Sequence, residues 1–261
     1  MRLLVLASAF VTLLAWGQAG SAESYKENFE DGLAQLWEPQ ATAQRWRVIG
    51  NLGHKYKARA SARFDGNMVS TYAGAEYANF NYRVSLRNKG DNASYMIFRA
   101  TPDFSQQRSQ SPQSGSGYAF GIDNRACVSG GLGKYYIYKM ENGSFSTIKA
   151  WTESLYIRCD KQWNSLRVSA KGGALKFFIN SKLVYKFTDN AAILSGRIGV
   201  LGYSYTKTPT RHYFDNIVVA PIVTADASDL ASADDEQISR EQQLLNEMLS
   251  DSKDPAGYRS E

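Results

Sequence analysis

Between Ser24 and Pro221 the chain alternates apolar and polar residues at period two, in short runs punctuated by turn residues. Such alternation predicts half-buried β-strands, because successive side chains of a strand point to opposite faces of its sheet. Runs that carry it are "NYRVSLRN", "ASYMIFRA", "GYAFGID", "KYYIYKM", "SFSTIKAW", "NSLRVSA", "LKFFIN", "KLVYKF", "GRIGVLGY" and "RHYFDNIVVA". The connections "NKGDN", "ENGS", "KGG", "NS" and "TDN" hold Gly, Asn, Asp and Ser, residues suited to tight turns. "LKFFINSKLVYKF" reads as a hairpin turning at Asn180-Ser181. No helical period appears in this span. Many short strands at regular spacing predict an all-β jelly-roll sandwich of two antiparallel sheets rather than a parallel α/β fold. The polar segment "TPDFSQQRSQSPQSGSG", residues 101–117, reads as a long loop between two strands, a usual place for binding residues.

"HKYKARASARFDG", residues 54–66, splits by parity into two faces. Tyr56, Ala58, Ala60, Ala62 and Phe64 form an apolar face, whereas Lys55, Lys57, Arg59, Ser61 and Arg63 form a basic one. The basic face is either a surface for an acidic polymer or the solvated side of a sheet edge, where Lys and Arg block aggregation. Arg45 and Arg47 lie close by in sequence. On "ASYMIFRA", core-facing Met96 and Phe98 would send Tyr95 and Arg99 to the opposite face. Asp123 joins them if Tyr118, Phe120 and Ile122 face inward. On "KYYIYKM", one parity takes Tyr136 and Tyr138, the other Tyr135, Ile137 and Lys139. Aromatic rings stack on pyranose faces, while charged groups hold hydroxyls or carboxylates. The candidate ligand-binding residues are therefore Tyr95, Arg99, Asp123, Tyr138 and Lys139, with Lys55, Lys57, Arg59 and Arg63.

The ends of the chain differ from this body. "MRLLVLASAFVTLLAWGQAGSA" has one early positive charge, an apolar run and small residues before Glu23, the pattern of a secretory signal over residues 1–22. No later apolar run reaches the length of a membrane helix, so a secreted or periplasmic protein is expected. In an oxidising compartment the only two cysteines, Cys127 and Cys159, are expected to bridge. From Thr224 onward ten acidic residues face three basic ones, leaving 27 basic and 15 acidic in residues 1–223. The body, taken as a domain over residues 23–223, is thus basic, and residues 224–261 read as an acidic tail, disordered or with a short helix. A basic body outside the cytoplasm is suited to anionic polysaccharide; no nucleic-acid partner is expected. "NAS" at Asn92 and "NGS" at Asn142 match the glycosylation acceptor pattern.

The segments "WNSLRVSAKGGALKFFINSKLVYKFTD", "SGRIGVLGYS" and "YFDNIVV" resemble the concanavalin A-like lectin/glucanase superfamily. Within it they are similar to the laminin-G-like domains of bacterial exported proteins, the group labelled 3-keto-disaccharide hydrolase domains. "ENFEDGLAQLWEP" fits the opening strand of such domains, and the resemblance spans residues 24–221. It implies one jelly-roll domain, but its motifs are mostly core and turn residues, which say little about activity. The Glu-x-Asp-x-x-Glu strand of the glucanases does not occur, so the paired carboxylates of glycoside cleavage are missing in that form. Neither His54 nor His212 has the Gln-x-His setting of the alginate lyases, and there is no Gly-x-Ser-x-Gly elbow. No catalytic residue is assigned. Related modules hold Ca²⁺ where the first and last strands meet, which makes Glu30, Asp31 and Asp215 the candidate metal ligands. The expected role is lectin-like binding of an anionic glycan, against two rivals: a carbohydrate-active enzyme and an interaction module using its tail.

Overall fold

The computed structural model describes residues 23–40, 45–50, 53–60, 66–89, 92–105, 114–128, 130–159, 161–204 and 209–222. The signal segment, the acidic tail, Arg63 with its neighbours at 61–65, and residues 106–113 of the long loop lie outside them.

In chain order the strands are β1 (Tyr25–Glu27), β2 (Trp37–Gln40), β3 (Trp46–Ile49), β4 (Lys55–Ala60) and β5 (Gly66–Tyr72). Next come β6 (Phe80–Lys89), β7 (Asn92–Ala100), β8 (Gly117–Asp123), a single helical turn α1 (Arg125–Val128), β9 (Lys134–Glu141) and β10 (Ser144–Glu153). The last five are β11 (Asn164–Lys171), β12 (Ala174–Ile179), β13 (Lys182–Thr188), β14 (Arg197–Ser204) and β15 (Thr210–Pro221). The ten alternating runs fall on strands β6 to β15. An eight-stranded sheet runs β13-β12-β11-β6-β15-β4-β3, with β1 paired along β15; a seven-stranded sheet runs β10-β9-β8-β7-β14-β5-β2. All ladders are antiparallel. This is the concanavalin A-like jelly roll.

The core lies between the sheets because each strand turns its apolar parity inward. Val84 and Leu86 of β6, Leu166 and Val168 of β11, Phe177 of β12, and Ile198 and Val200 of β14 are fully buried there. Tyr82 spans the layer, donating its hydroxyl to the Gly199 carbonyl on the other sheet (2.8 Å). The hairpin turn falls at Asn180 and Ser181, both with positive φ (48° and 67°), as a two-residue turn between twisted strands requires. Cys127 and Cys159 form the disulfide, tying α1 to the segment before β11. Among the described residues no helix is long and apolar enough to cross a membrane. Asn92, one of the two glycosylation patterns, is fully buried on β7 and donates from Nδ2 to the Lys89 carbonyl (3.3 Å). Asn142 is exposed at a turn.

Candidate functional site

With one parity buried between the sheets, the other parity of each strand builds an outer face. On the seven-stranded sheet the register sets residues in rows. Val69, Leu201, Tyr95, Gly121 and Tyr136 form one row across β5, β14, β7, β8 and β9. Asn67, Tyr203, Ala93, Asp123 and Lys134 form the row on one side of it. Thr71, Gly199, Ile97, Ala119, Tyr138 and Thr147 form the row on the other. Gly121 has a steric reason to be glycine: a Cβ there would lie 2.1 Å from the Tyr95 ring, which rests flat over it.

Aromatic rings join across this face. Tyr95 meets Tyr138 edge-on at 5.9 Å and Trp151 at 6.4 Å. Trp151, on edge strand β10, stacks on Tyr136 at 5.0 Å, and Phe145 packs against Tyr138 at 4.8 Å and Tyr136 at 6.2 Å. Tyr95 and Tyr138 are buried, Tyr136 and Trp151 are half-buried, and Phe145 is 43 % exposed. The accessible rim of the patch is therefore Tyr136, Phe145 and Trp151. At its flank Asp123 holds Arg125 through Oδ2 at 2.7 Å from both Nε and a terminal nitrogen, and Oδ1 accepts the Arg125 amide (2.8 Å).

The structure divides the sequence-derived candidates into three groups. Tyr95, Asp123 and Tyr138 share the aromatic face as parity predicted. Arg99 does not. A bulge between β7 and β14 and a positive φ of 50° at Arg99 reverse its parity, and its side chain is fully buried beside Phe80. Its guanidinium donates to the carbonyls of Ala78 (2.7 and 3.1 Å), Gly172 (2.8 Å) and Ile193 (2.8 Å). Lys139 also points inward, with Tyr135 and Ile137, and bonds Asp189 (2.9 Å) and Glu141 (3.0 Å). Tyr118 donates to the same Asp189 oxygen (2.7 Å) and accepts the Ile193 amide (3.0 Å). Burial works against the Asp189 charge, but the bonds from Lys139 and Tyr118 outweigh it and hold the carboxyl below the usual range. Arg99 and Lys139 thus anchor the connection between β13 and β14 rather than facing outward.

Lys55, Lys57 and Arg59 occupy the outer face of the other sheet. The two halves of the predicted site are back to back, separated by the core. Lys57 is only 7 % exposed, so the expectation that the basic parity of β4 stands in water fails at its centre. The sequence reading missed the neighbours that make this face basic, Arg83, Arg87, Lys89 and Arg211. Their signal was the same alternation, with Arg83, Arg87 and Lys89 on β6 opposite Val84 and Leu86. It also passed over Phe145 and Trp151, which share the outer face because the two bulges of β10 cancel in parity.

Glu30, Asp31 and Asp215 are not grouped as a three-ligand metal site. Strands β1 and β15 are adjacent as expected, yet Glu30 faces His54 (3.6 Å). Asp31 accepts the Leu33 amide (2.9 Å) and Asp215 the Asn216 amide (2.7 Å). Among the described residues no three His, Cys, Asp or Glu side chains are grouped to hold a metal ion. Burial, with nearby Glu30 and Glu27 adding repulsion, raises the Asp215 carboxyl to about 7.

Residues 12–220 match the family described as the 3-keto-alpha-glucoside-1,2-lyase-like domain, and the chain belongs to this family. No curated protein matches it. Among solved structures it is similar to the beta-glucanase of Bacillus licheniformis at 14% identity and a TM-score of 0.56, covering 77% of this chain and 99% of that one. A Bacteroides ovatus GH16 protein of a mixed linkage glucan locus, in complex with a G4G4G3G product, matches at 10% identity and a TM-score of 0.56, covering 75% and 99%. A Bacillus subtilis protein of unknown function with a galectin-like fold matches at 10% identity and a TM-score of 0.55, covering 78% and 99%. At these identities the likeness is one of fold.

Proposed function

We propose that the protein is an exported glycan-binding module that prefers acidic glycans, and that one sugar-binding surface is the outer face of the seven-stranded sheet. The observation that carries this reading is the continuous aromatic patch, whose accessible rim of Tyr136, Phe145 and Trp151 offers flat apolar surface beside polar side chains. A sugar needs that combination, since its C–H faces are apolar and its hydroxyls need partners. Membership of a family described by a glucoside lyase supports a carbohydrate ligand. The excess of basic over acidic residues in the body supports the preference for acidic glycans. The secretory pattern and the disulfide support export. The test is a glycan array of neutral and acidic polysaccharides, at low and high salt, probed with the mature protein and with Trp151→Ala and Tyr136→Ala. Binding that falls about tenfold or more in both variants, with unchanged melting temperature, supports the reading. Wild-type protein that binds no glycan at either salt overturns it.

The family description favours a second reading, elimination across C1–C2 of a 3-keto glucoside. That reaction breaks the C2–H and C1–O bonds, forms the C1=C2 double bond and releases the aglycone as an alcohol, so it needs a base for the C2–H that the C3 ketone acidifies and a proton for the departing oxygen. Asp123, fixed by Arg125 beside the aromatic patch, is the carboxylate best placed for it. Product formation from a 3-keto glucoside, abolished in Asp123→Asn without loss of sugar binding, would establish it.

A further inference from the structure

The outer face of the eight-stranded sheet has no counterpart in this reading of the aromatic face. Its register aligns cations across the strands. Arg59, Arg211 and Lys89 form an unbroken row over β4, β15 and β6. Arg47, Lys57, Tyr213 and Arg87 form the next row over β3, β4, β15 and β6. Neighbouring strands are about 4.8 Å apart, so these charges stand at close, regular intervals. Among the described residues none of the six cations is in an ion pair.

Protection of a sheet edge does not account for the arrangement. Strands β6 and β15 lie in the middle of the sheet, where there is no open edge to defend. Repulsion is already at work there. Burial, then Arg47, Arg211 and Arg59, push the Lys57 amine down, and burial followed by Arg87, Arg211, Lys161 and Lys55 does the same to Lys89. The Arg87 guanidinium sits between the Trp163 ring (5.1 Å) and the Tyr213 ring (5.0 Å), which fixes its plane. The buried Nε of Arg87, and that of Arg83 four residues along the same strand, have no hydrogen-bond partner among the described residues. A buried donor left unmade is costly, and a planar guanidinium suits a carboxylate or sulfate held by two bonds.

We propose that this face is a binding surface for a linear acidic polysaccharide, its carboxylates or sulfates lying along the two cation rows. The inference rests on the glycan reading only for the polymer being a saccharide. A bilayer fits less well, because interfacial binding also buries apolar side chains, and the aromatic rings among these cations lie under guanidinium groups. The surface is separate from the aromatic patch.

The experiment uses the mature full chain, with polygalacturonate and heparin as acidic polysaccharides, a neutral β-glucan, single-stranded DNA, and vesicles containing anionic phospholipid. Variants are Arg87→Gln/Arg211→Gln, the charge-keeping Arg87→Lys/Arg211→Lys, and Lys149→Gln on the other sheet as a control for a positive charge lost away from the proposed surface. Expected is acidic-polysaccharide binding that weakens by about tenfold or more from low to high salt. It should fall by about tenfold again in the double Gln variant, stay intermediate in the Lys variant and hold in Lys149→Gln, with neutral-glucan binding the same in all four. Equal loss in Lys149→Gln, or no loss in the double Gln variant at an unchanged melting temperature, overturns the proposal. So does tighter binding to DNA or to vesicles than to either acidic polysaccharide. Neutral-glucan binding without any acidic-polysaccharide binding overturns this surface and leaves the aromatic face standing. Salt-sensitive acidic-polysaccharide binding without neutral-glucan binding does the reverse.

Discussion

A guanidinium shut away from water needs hydrogen bonds in place of hydration, and Arg99 finds them on the Ala78, Gly172 and Ile193 carbonyls. Those carbonyls belong to three separate connections, so one side chain fastens three loops. Arg99→Ala is expected to cost at least about 3 kcal/mol in urea denaturation, since it strands buried acceptors as well as removing the donor. A loss below about 1 kcal/mol would show that water takes its place. Two other residues act through pH. Burial pushes the His212 imidazole down to about 3, so its neutral form is favoured in the folded state. The unfolded chain takes up that proton near pH 6.5, and stability is lost as the pH falls from there toward about 3. Asp215 runs the other way, because its folded value of about 7 lies above the unfolded one. Its contribution is full below about pH 4 and is lost as the pH rises toward 7. Between about pH 4 and 6.5 the two slopes oppose, each at most about 1.4 kcal/mol per pH unit. Removing one should unmask the other. Unfolding free energy of Asp215→Asn, measured from pH 6.5 to 4.5, is expected to fall more steeply than that of the wild type. Parallel profiles would mean that Asp215 ionises as freely in the folded state as in the unfolded one.

At the scale of strands and turns the chain is nearly transparent. Period-two alternation marks β6 to β15 because each strand has one dry and one wet side, and Asn-Ser marks the hairpin because Asn tolerates positive φ and Ser is a common turn residue. Where prediction failed, the cause is a bulge. Arg99 was assigned by parity to the outside, and one irregularity at the end of β7 turned it in. A bulge inserts one residue, and counting cannot see past it. The disulfide was legible from composition alone, and its energetic role belongs to this scale too. It closes a separation of 32 residues, for which chain entropy gives about 3–4 kcal/mol. Thermal melts of Cys127→Ala/Cys159→Ala are expected to show a loss of that order. An unchanged melting temperature would mean that β8, β9 and β11 hold the same geometry without the bridge.

Across the whole molecule the candidate residues were individually visible, but their grouping was not. Alternation identifies a basic parity on β4 and aromatic parities on β7 and β9, yet sequence order does not say which strands share a sheet. That pairing is long-range: β4 neighbours β15, and β7 neighbours β14. Aromatic and basic side chains that read as one composite site therefore stand on opposite sides of a packed core. Two sheets in contact lie about 10 Å apart, and ligands on their outer faces do not touch. A neutral oligosaccharide bound at Tyr136 and Trp151 and an acidic polymer bound at Arg87 and Arg211 should accordingly bind without competition. Sites that do not communicate have a coupling free energy near zero. Calorimetric titration of polygalacturonate into protein saturated with a neutral glucan oligosaccharide is expected to give the affinity seen without it. A shift of tenfold or more in either direction would mean that one polymer reaches around the sandwich edge, or that the sheets shift together when either face is filled.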